Sequence, residues 1–456
     1  MSPLIYLSIQ CHLPLEIWLC IVEILAPLEQ KVLSRTCRTF FTLVNQRCPF
    51  QVLRLYGDKP LDLLMLHKHS RVLKVARELH WLPSRKAPVR ARSDGSFSLA
   101  CLSIQYVLLK LSHSSAIRAL HLHRIAVSPH HQRLILSIPS LRHLTLQQSE
   151  FIPGSVPMPH ALIESLSFGT GTISLEAAIY TLRLLVHSLK SLDVGDASEV
   201  LYTPMNTLRF AVLKSLRQNP TTYLHHFHTL SPHTSITELY LGPSTSQQWE
   251  IPVDYFQPPH LLPHLQHLSS PWRVAVRIIP GRPVKVFHDT ELMGYIEATQ
   301  WRQLALSTAR QGMEEIRHCH NNDVIGLLFV LNIYVPRLKR LEVFLSGRDP
   351  LLGMNWNPAA NTSIIEIEIR FSTSTSEYLF LLPNPRANRH RQQCRTLLKK
   401  LAQACPKLEQ VTFIEVNKAT VDGGSIFDEN EQDVPSDFRL KFCKMFSEGT
   451  WKEHLW

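Results

Sequence analysis

Histidine is the residue type in this chain with the most obvious potential for chemistry. The sequence holds 24 histidines and nine cysteines, and imidazole and thiolate groups are common zinc ligands. Three groups stand close together in sequence: His121 with His123; His225, His226 and His228; and His318, Cys319 and His320. A zinc site also needs a second, separated pair of ligands, and the sequence supplies none near these groups. We therefore expect no metal centre and no cofactor.

Catalytic motifs were sought and none is present. The sequence has no phosphate-binding loop, no glycine fingerprint of a dinucleotide site, no H-E-x-x-H motif and no G-x-S-x-G motif. One catalytic alternative stays open, an enzyme domain concealed between Trp272 and Asn332. The sequence favours a binding protein over an enzyme.

The first element that could position a binding surface is an N-terminal helical hairpin from Leu13 to Val44. Pro14 suits the first turn of a helix, because that position needs no backbone donor. Mostly apolar residues then recur at helical spacing in two runs, and Pro27 ends the helix of the first: Ile17, Ile21, Ile24, Leu25 and Leu28, followed by Val32, Leu33, Thr36, Cys37, Phe40, Phe41 and Val44. Such a short hairpin cannot bury both of its faces, so some apolar surface must meet the rest of the chain or a partner.

This stretch resembles an F-box, the helical module that joins substrate receptors to cullin-type ubiquitin ligases. The resemblance rests on Leu13, Pro14, Glu16, Ile17, Ile21, Leu25, Leu33, Cys37 and Phe40. Thr36 stands where an aliphatic residue is commoner in the family, and Phe40 stands where the family often has Trp. The resemblance implies docking on a Skp-type adaptor, and through it on a cullin, by Leu13, Pro14, Ile17, Ile21, Leu28, Cys37 and Phe40. The alternative is an amphipathic hairpin that belongs to the core.

Composition and charge are those of an ordinary soluble protein. The chain has 456 residues, of which 45% are hydrophobic and 19% charged, and its net charge is +11. The basic balance leans towards acidic partners or the nucleus. Scattered cysteines without a C-x-x-C pair indicate reduced thiols, and neither a secretory leader nor a membrane-spanning run is recognised. We expect a cytoplasmic or nuclear protein that binds neither membranes nor nucleic acid.

A pattern of three apolar residues, spaced three and then two positions apart, recurs from about Ala116 onward. Its copies often follow Pro, Ser or His. They are Ile117-Leu120-Leu122, Leu141-Leu144-Leu146, Ile163-Leu166-Phe168, Leu189-Leu192-Val194, Ile236-Leu239-Leu241, Leu338-Leu341-Val343, Ile364-Ile367-Ile369 and Leu408-Val411-Phe413, with a weaker copy at Leu265-Leu268. The first four begin at residues 117, 141, 163 and 189. A period in the twenties is typical of leucine-rich repeats.

The array resembles the degenerate leucine-rich repeats that follow the F-box in many fungal and other eukaryotic proteins. One unit cannot bury its own apolar face, so neighbouring units must stack, with their strands lining one side. Return helices are predicted at residues 105–111, 175–189, 208–216, 291–309 and 395–404. The alternative is a non-repetitive α/β domain in which strands merely alternate with helices.

Four tryptophans lie in or near irregular segments: Trp249, Trp272, Trp301 and Trp356. Tryptophan is enriched at binding hot spots, so these side chains could anchor a partner. We favour a structural role at the ends of the repeat array.

The sequence therefore predicts an α+β protein in which a three-helix F-box precedes an irregular α/β leucine-rich-repeat-like solenoid. The predicted parts are the F-box at 1–50, a helical linker and polar loop at 51–110, the repeat array at 111–420 with an irregular insertion around 272–332, and an acidic flexible segment with a C-terminal tail, ending in a short helix, at 421–456. The predicted function is substrate recognition in an SCF-type ubiquitin ligase, with an unknown protein substrate on the array. The alternative is an F-box-like repeat scaffold without a ligase role.

Overall fold

The computed structural model divides the chain into two compact units, Met1–Pro204 and Met205–Trp456. We call them unit 1 and unit 2. The residues that the structure describes are 32–33, 36, 52–56, 76–82, 99–113, 116–123, 125–147, 149–151, 162–169, 175–195, 208–218, 235–242, 261–290, 298–310, 312–320, 324–345, 363–373, 385–417, 438–444 and 451–455.

Unit 1 is built from short parallel strands, some of them followed by a helix. Its elements are β1 (Val52–Tyr56), β2 (Glu78–Leu82), α1 (Leu99–Ser112), β3 (Ala119–His123), β4 (Ala126–Val127), α2 (Pro129–Leu136), β5 (His143–Gln147), β6 (Glu150–Phe151), β7 (Ser165–Ser167), α3 (Leu175–Leu185) and β8 (Ser191–Asp193). The strands pair in parallel in the order β1, β2, β3, β5, β7 and β8. The short strands β4 and β6 pair separately.

Unit 2 is also built from short parallel strands, some of them followed by a helix, but it ends in antiparallel strands. Its elements are β9 (Ser215–Gln218), β10 (Glu238–Leu241), β11 (His267–Ser270), α4 (Trp272–Ile278), β12 (Val286–Asp289), α5 (Ala298–Leu304), β13 (Glu315–His320), α6 (Val324–Tyr334), β14 (Arg340–Leu345), β15 (Glu366–Thr373), α7 (Pro385–Ala404), β16 (Gln410–Asn417), β17 (Phe438–Lys444) and β18 (Trp451–Leu455). Strands β9 to β16 pair in chain order and in parallel. The last two strands are antiparallel.

The apolar triplets predicted from the sequence form the core of both units. All eight triplets and the Leu265-Leu268 pair are buried; Leu120 in unit 1 and Ile367 in unit 2 are each 0% exposed. Successive strand residues point to opposite faces, so burying the second and third triplet residues leaves the residue between them on the other face. Parallel strands with return helices and this buried pattern form a leucine-rich-repeat-like α/β arrangement.

Backbone hydrogen bonds fix the register of neighbouring repeats in the same way along both units. One carbonyl in each repeat accepts bonds from two successive N–H groups of the next repeat. In unit 1 the Arg77 carbonyl accepts from Arg118 and Ala119, with N–O distances of 2.7 and 3.0 Å. In unit 2 the Lys214 carbonyl accepts from Thr237 and Glu238 at 2.8 and 3.0 Å. This shared ladder aligns the triplets of successive repeats.

Serine hydroxyls explain why several triplets follow a serine. Ser140 donates to the Ile117 carbonyl at 2.6 Å, and Ser235 donates to the Leu213 carbonyl at 2.8 Å. In both cases the acceptor is the first core residue of the preceding repeat. The serine therefore satisfies a backbone acceptor that the strand ladder leaves unpaired.

The segment 272–332 continues the array, which corrects the expectation of an irregular insertion there. It contributes β12 and β13 to the parallel sheet. Val284 and Phe287 are 0% exposed and occupy the first two core positions of a triplet, but the third position is Asp289. The polar third residue conceals this repeat from a search for apolar triplets.

Arg282 supports the same segment from inside the core. It is 0% exposed, and its guanidinium donates to the carbonyls of Leu261, at 2.7 Å, and Ile278, the last residue of α4. Burial lowers the pKa of Arg282 to about 10. A buried cation that satisfies otherwise orphaned carbonyls holds the end of α4 against the preceding loop.

Several shorter segments differ from their predicted type. Residues 52–56 and 78–82 are strands, although the apolar spacing favours a helical register over 51–81, and the strand 215–218 overlaps the end of the return helix predicted at 208–216. The C-terminal tail forms β17 and β18 instead of a helix. In short segments the apolar spacing fits both periods, and pairing with the next strand decides the outcome. The helices predicted at 105–111 and 395–404 are confirmed within α1 and α7, and α3 and α5 lie within two more predicted ranges.

Candidate functional site

The side of the sheet that faces away from the core carries the polar chemistry of both units. We call it the strand face. In unit 1 its residues between the second and third core positions, or in register with them, are Arg54, His80, His121, Thr145, Ser167 and Asp193. In unit 2 they are Arg217, Tyr240, Ser269, His288, Arg317, Glu342, Glu368 and Thr412. The regular core thus presents ordered rows of polar side chains.

An imidazole–carboxylate cluster occupies the strand face of unit 1. His80 in β2 lies directly opposite His121 in β3, and Glu78 shares their face because it precedes His80 by two residues. The Glu78 carboxylate oxygen Oε1 lies 2.5 Å from His80 Nε2 and 3.2 Å from His121 Nε2. The two imidazole rings stack, with centroids 4.3 Å apart and an angle of 15° between their planes. We call these three residues the Glu78 cluster.

Both histidines stabilise the ionised form of Glu78. Hydrogen bonds from His121 and then from His80 hold the pKa of the Glu78 carboxyl well below its usual range, against the opposing effect of burial. Arg54 in β1 lies opposite His80, and Thr145 in β5 lies opposite His121. The carboxylate is therefore a charged acceptor, and the cluster is flanked by one cationic and one neutral side chain.

A second polar contact orders the end of the unit 1 strand face. Ser167 donates to Asp193 Oδ2 at 3.0 Å, and the backbone N–H of Gly195 donates to Asp193 Oδ1 at 3.2 Å. Gly195 has φ +53°, and a Cβ there would lie 2.5 Å from the Gly169 carbonyl oxygen. Only glycine fits this turn without strain. The turn fixes the position of the Asp193 carboxylate.

Arginine–glutamate pairs dominate the strand face of unit 2. Arg317 contacts Glu315 at 2.6 Å within β13. Arg370 in β15 contacts Glu342 of the neighbouring strand at 2.6 Å and Glu368 of its own strand at 2.8 Å. Together with the Arg340–Glu366 pair at 3.2 Å, these contacts form the residue set that we call the ion-pair network.

Two groups within this face have shifted pKa values because they are withdrawn from water. Burial raises the pKa of Glu342 to about 7, although Arg370 and Arg317 oppose the shift. Burial lowers the pKa of His288 to about 4, and the charges of Arg317 and Arg370 lower it further. At neutral pH His288 is thus uncharged, while Glu342 is close to its titration midpoint.

Two cations of the network, Arg340 and Arg317, reach further into solvent than their partners, whereas Arg370 is about as exposed as Glu368. The Arg340 side chain is 62% exposed against 33% for Glu366, and Arg317 is 49% exposed against 17% for Glu315. A ligand that approaches this face therefore meets guanidinium groups first. Guanidinium groups bind carboxylates and phosphates through paired donors, so the exposed parts of Arg340 and Arg317 can contact an acidic group beside the glutamate with which each is already paired.

The residues predicted to bind an adaptor lie outside the described part of the chain: Leu13, Pro14, Ile17, Ile21, Leu28, Cys37 and Phe40. Within the predicted hairpin the structure describes Val32 and Leu33, which are helical, and Thr36, whose N–H donates to the Leu33 carbonyl at 3.0 Å. The adaptor-docking assignment stays a prediction.

Some of the histidines and tryptophans singled out in the sequence lie among the described residues, and others do not. His225, His226, His228, Trp249 and Trp356 are outside the described residues, and the side chains of 318–320 are not described. Trp272 and Trp301 are buried, at 6% and 2% exposure, within unit 2. They serve the core as structural residues, but in the middle of the repeats and not at the ends.

Sequence reasoning singled out His121 as a possible ligand but missed Glu78 and His80. The assignment of a helical register to residues 61–81 hid them. A usable signal was present, because Ala76, Leu79 and Trp81 have the same spacing as the recognised triplets and are 0%, 1% and 2% exposed. Extending the repeat pattern by one unit towards the N-terminus brings His80 beside His121.

Comparisons with known proteins leave the family of the chain open. No protein-family model matches it, and no curated protein matches it. Among solved structures, a crystal structure of a TLR13–ssRNA13 complex is similar at 13% identity, with a TM-score of 0.34. That match covers 66% of this chain, and the chain spans 40% of the length of that structure. No helix among the described residues is long and apolar enough to cross a membrane.

Proposed function

We propose that this protein is the substrate-recognition subunit of an SCF-type ubiquitin ligase and that its strand faces bind a protein substrate. The N-terminal stretch from Leu13 to Val44 would dock on a Skp-type adaptor, which in turn binds a cullin. The protein itself would perform no chemistry. It would act by holding a substrate near a charged ubiquitin carrier, which raises the effective concentration of the reacting lysine.

The observation that carries the substrate-binding half is the ion-pair network of unit 2. Two of its arginines, Arg340 and Arg317, extend beyond their carboxylate partners into solvent, as the 62% and 33% exposures of Arg340 and Glu366 illustrate. A regular sheet holds them at fixed spacing, so little side-chain freedom is lost when a partner binds. The basic net charge of +11 favours the same kind of partner. We infer that the substrate presents an acidic segment, in the cytoplasm or the nucleus.

The adaptor-docking half rests on the sequence resemblance of the hairpin. Leu13 and Pro14 open it, and Ile17 and Ile21 follow at helical spacing. Burying apolar side chains of this size stabilises a complex by about 1.5 to 3 kcal/mol each before the costs of association. The hairpin would therefore tolerate little polar substitution on its docking face.

The decisive experiment is co-expression with a Skp-type adaptor, followed by size-exclusion chromatography at moderate salt. We expect the full chain and the adaptor to elute together. The double variant Pro14→Ala/Ile17→Asp should elute apart from the adaptor with an unchanged circular dichroism spectrum, because the charge opposes burial of that face. A matched control is Val32→Asp, since Val32 is 59% exposed and outside the implied docking set.

The scaffold alternative predicts the opposite result. A folded wild-type chain that elutes separately from the adaptor would contradict the ligase role, and the strand faces would then serve a repeat scaffold. Equal co-elution of the wild type and the double variant would also contradict docking through Leu13 to Val44.

A further inference from the structure

The Glu78 cluster places three metal-ligating side chains on one patch of the strand face of unit 1. Parallel strands lie about 4.8 Å apart, and His80 is in direct register with His121. Glu78 comes from the same strand as His80, two residues earlier, so all three side chains share a face. The arrangement arises from the repeat register and needs no local loop.

The donor atoms already converge to nearly the separations that a bound ion requires. One atom from each residue can be chosen so that all lie within 4.8 Å of one another. Glu78 Oε1 is 3.2 Å from His121 Nε2, and metal–ligand bonds of about 2.0 to 2.2 Å in a tetrahedral site place neighbouring donors about 3.3 Å apart. The His80–Glu78 separation, now 2.5 Å, would have to open by less than an ångström, and the two stacked rings would have to tilt so that both Nε2 atoms point at one ion.

The chemistry of the donors favours a zinc-class ion. Imidazole nitrogens suit zinc, copper and nickel, whereas calcium and magnesium prefer all-oxygen sites. The side chains are 18%, 24% and 34% exposed for His80, His121 and Glu78, so the site is shielded but reachable. The exposed side leaves a coordination position for water or for a carboxylate of a partner.

We propose that Glu78, His80 and His121 bind one divalent ion of the zinc class. Sequence reasoning expected no metal centre, because it sought ligand pairs along the chain and this site combines two repeats. The ion would replace the hydrogen-bonded protons between the imidazoles and the carboxylate. It would cross-link β2 to β3. This proposal stands independently of the ligase function, since it involves no residue of the predicted docking hairpin.

Cobalt binding by the full chain tests the site directly. After treatment with a chelator, the protein is titrated with Co²⁺ alone and followed by visible absorption, and Zn²⁺ is then added in competition. We expect the wild type to bind one more Co²⁺ than the His80→Ala/His121→Ala variant, with the ligand-field bands of a nitrogen- and oxygen-coordinated ion. Glu78→Gln should weaken the binding by about tenfold or more, at least as much as the loss of an outer-shell partner does.

The matched control is His267→Ala in unit 2. His267 also faces a carboxylate across parallel strands, with its Nδ1 3.9 Å from Glu238 Oε1. In the part of the chain that the structure describes, no third histidine, cysteine or carboxylate converges on that pair. The His267→Ala variant should bind Co²⁺ as the wild type does. A loss of binding in this variant would show that histidines outside the Glu78 cluster take up the metal.

Two results would overturn the proposal. The first is an equal Co²⁺ stoichiometry and affinity in the wild type and the double variant. The second is a double variant that binds as much Co²⁺ as the wild type and shows a sulfur-to-cobalt absorption band, since the ligands would then be cysteines. The substituted side chains face away from the core, and the conservative variant His121→Gln gives the same comparison if the double variant does not fold.

Discussion

Units 1 and 2 have equivalent cores and different strand faces. Leu120 in unit 1 and Ile367 in unit 2 occupy the same core position and are both 0% exposed. The residues that follow them on the other face are His121 and Glu368, one in an imidazole–carboxylate cluster and the other in an arginine–glutamate network. The core positions specify the fold, and the strand-face positions differ between the units without changing it.

This difference also separates two kinds of electrostatics. In unit 1 a carboxylate is shared by two histidines, and its pKa lies below the usual range because both donate to it. In unit 2 the Glu342 carboxyl is 8% exposed, and burial raises its pKa despite two nearby arginines. The same sheet geometry thus supports a partly exposed, ionised carboxylate and a buried carboxyl that titrates near neutral pH.

The largest expected effect tests whether the two cores are equivalent. Leu120→Ala and Ile367→Ala should each lower the free energy of unfolding by about 2 to 5 kcal/mol, because each leaves a cavity in a packed core. Urea denaturation followed by circular dichroism measures this. Leu109→Ala is the control, since Leu109 is 47% exposed, and it should cost under about 0.5 kcal/mol. A cost near zero at either core position would contradict the equivalence.

The next largest expected effect is the pH dependence of stability that Glu342 produces. Its folded-state pKa of about 7 is above the ordinary value of 4.5, so the folded protein retains a proton that the unfolded chain has lost. The stabilising contribution of Glu342 is therefore complete below pH 4.5 and is lost as the pH rises through about 7. Relative to Glu342→Gln, the wild type should lose about 2 to 3 kcal/mol between pH 5 and pH 8.

Urea denaturation of both proteins at several pH values checks this slope. The control is Glu368→Gln, whose carboxylate contacts the same Arg370 but has a side chain that is 28% exposed. If the difference between wild type and Glu342→Gln does not change with pH, the buried, protonated state of Glu342 is wrong.

The smallest expected effect is on the affinity of the unit 2 strand face for an acidic peptide. A fluorescently labelled peptide rich in Asp and Glu should bind the wild type more weakly as salt increases. Arg317→Gln/Arg340→Gln should weaken binding by about fivefold, because each exposed charge pair contributes up to about 1 kcal/mol. Arg302→Gln/Arg310→Gln removes equal charge at other exposed positions and should change little. Equal losses of peptide affinity in both double variants would show that binding depends on net charge and not on the ion-pair network.

The amino-acid sequence by itself determined the core. The triplets at 117–122 and 364–369 were recognisable because strand alternation and repeat stacking both require apolar residues at fixed spacing. The return helices in α1 and α7 followed from spacing as well. Where one position broke the rule, as Asp289 did, the repeat was hidden, and a predicted insertion took its place.

Only the tertiary structure decided which polar residues meet. Glu78 and His121 are 43 positions apart in the numbering, and their contact depends on two strands pairing in one particular register. Likewise, Arg370 reaches Glu342 because β14 and β15 are neighbours. Local spacing reports which face a side chain occupies, but contact across strands depends on register, and register is fixed by burial of the triplets on the opposite face.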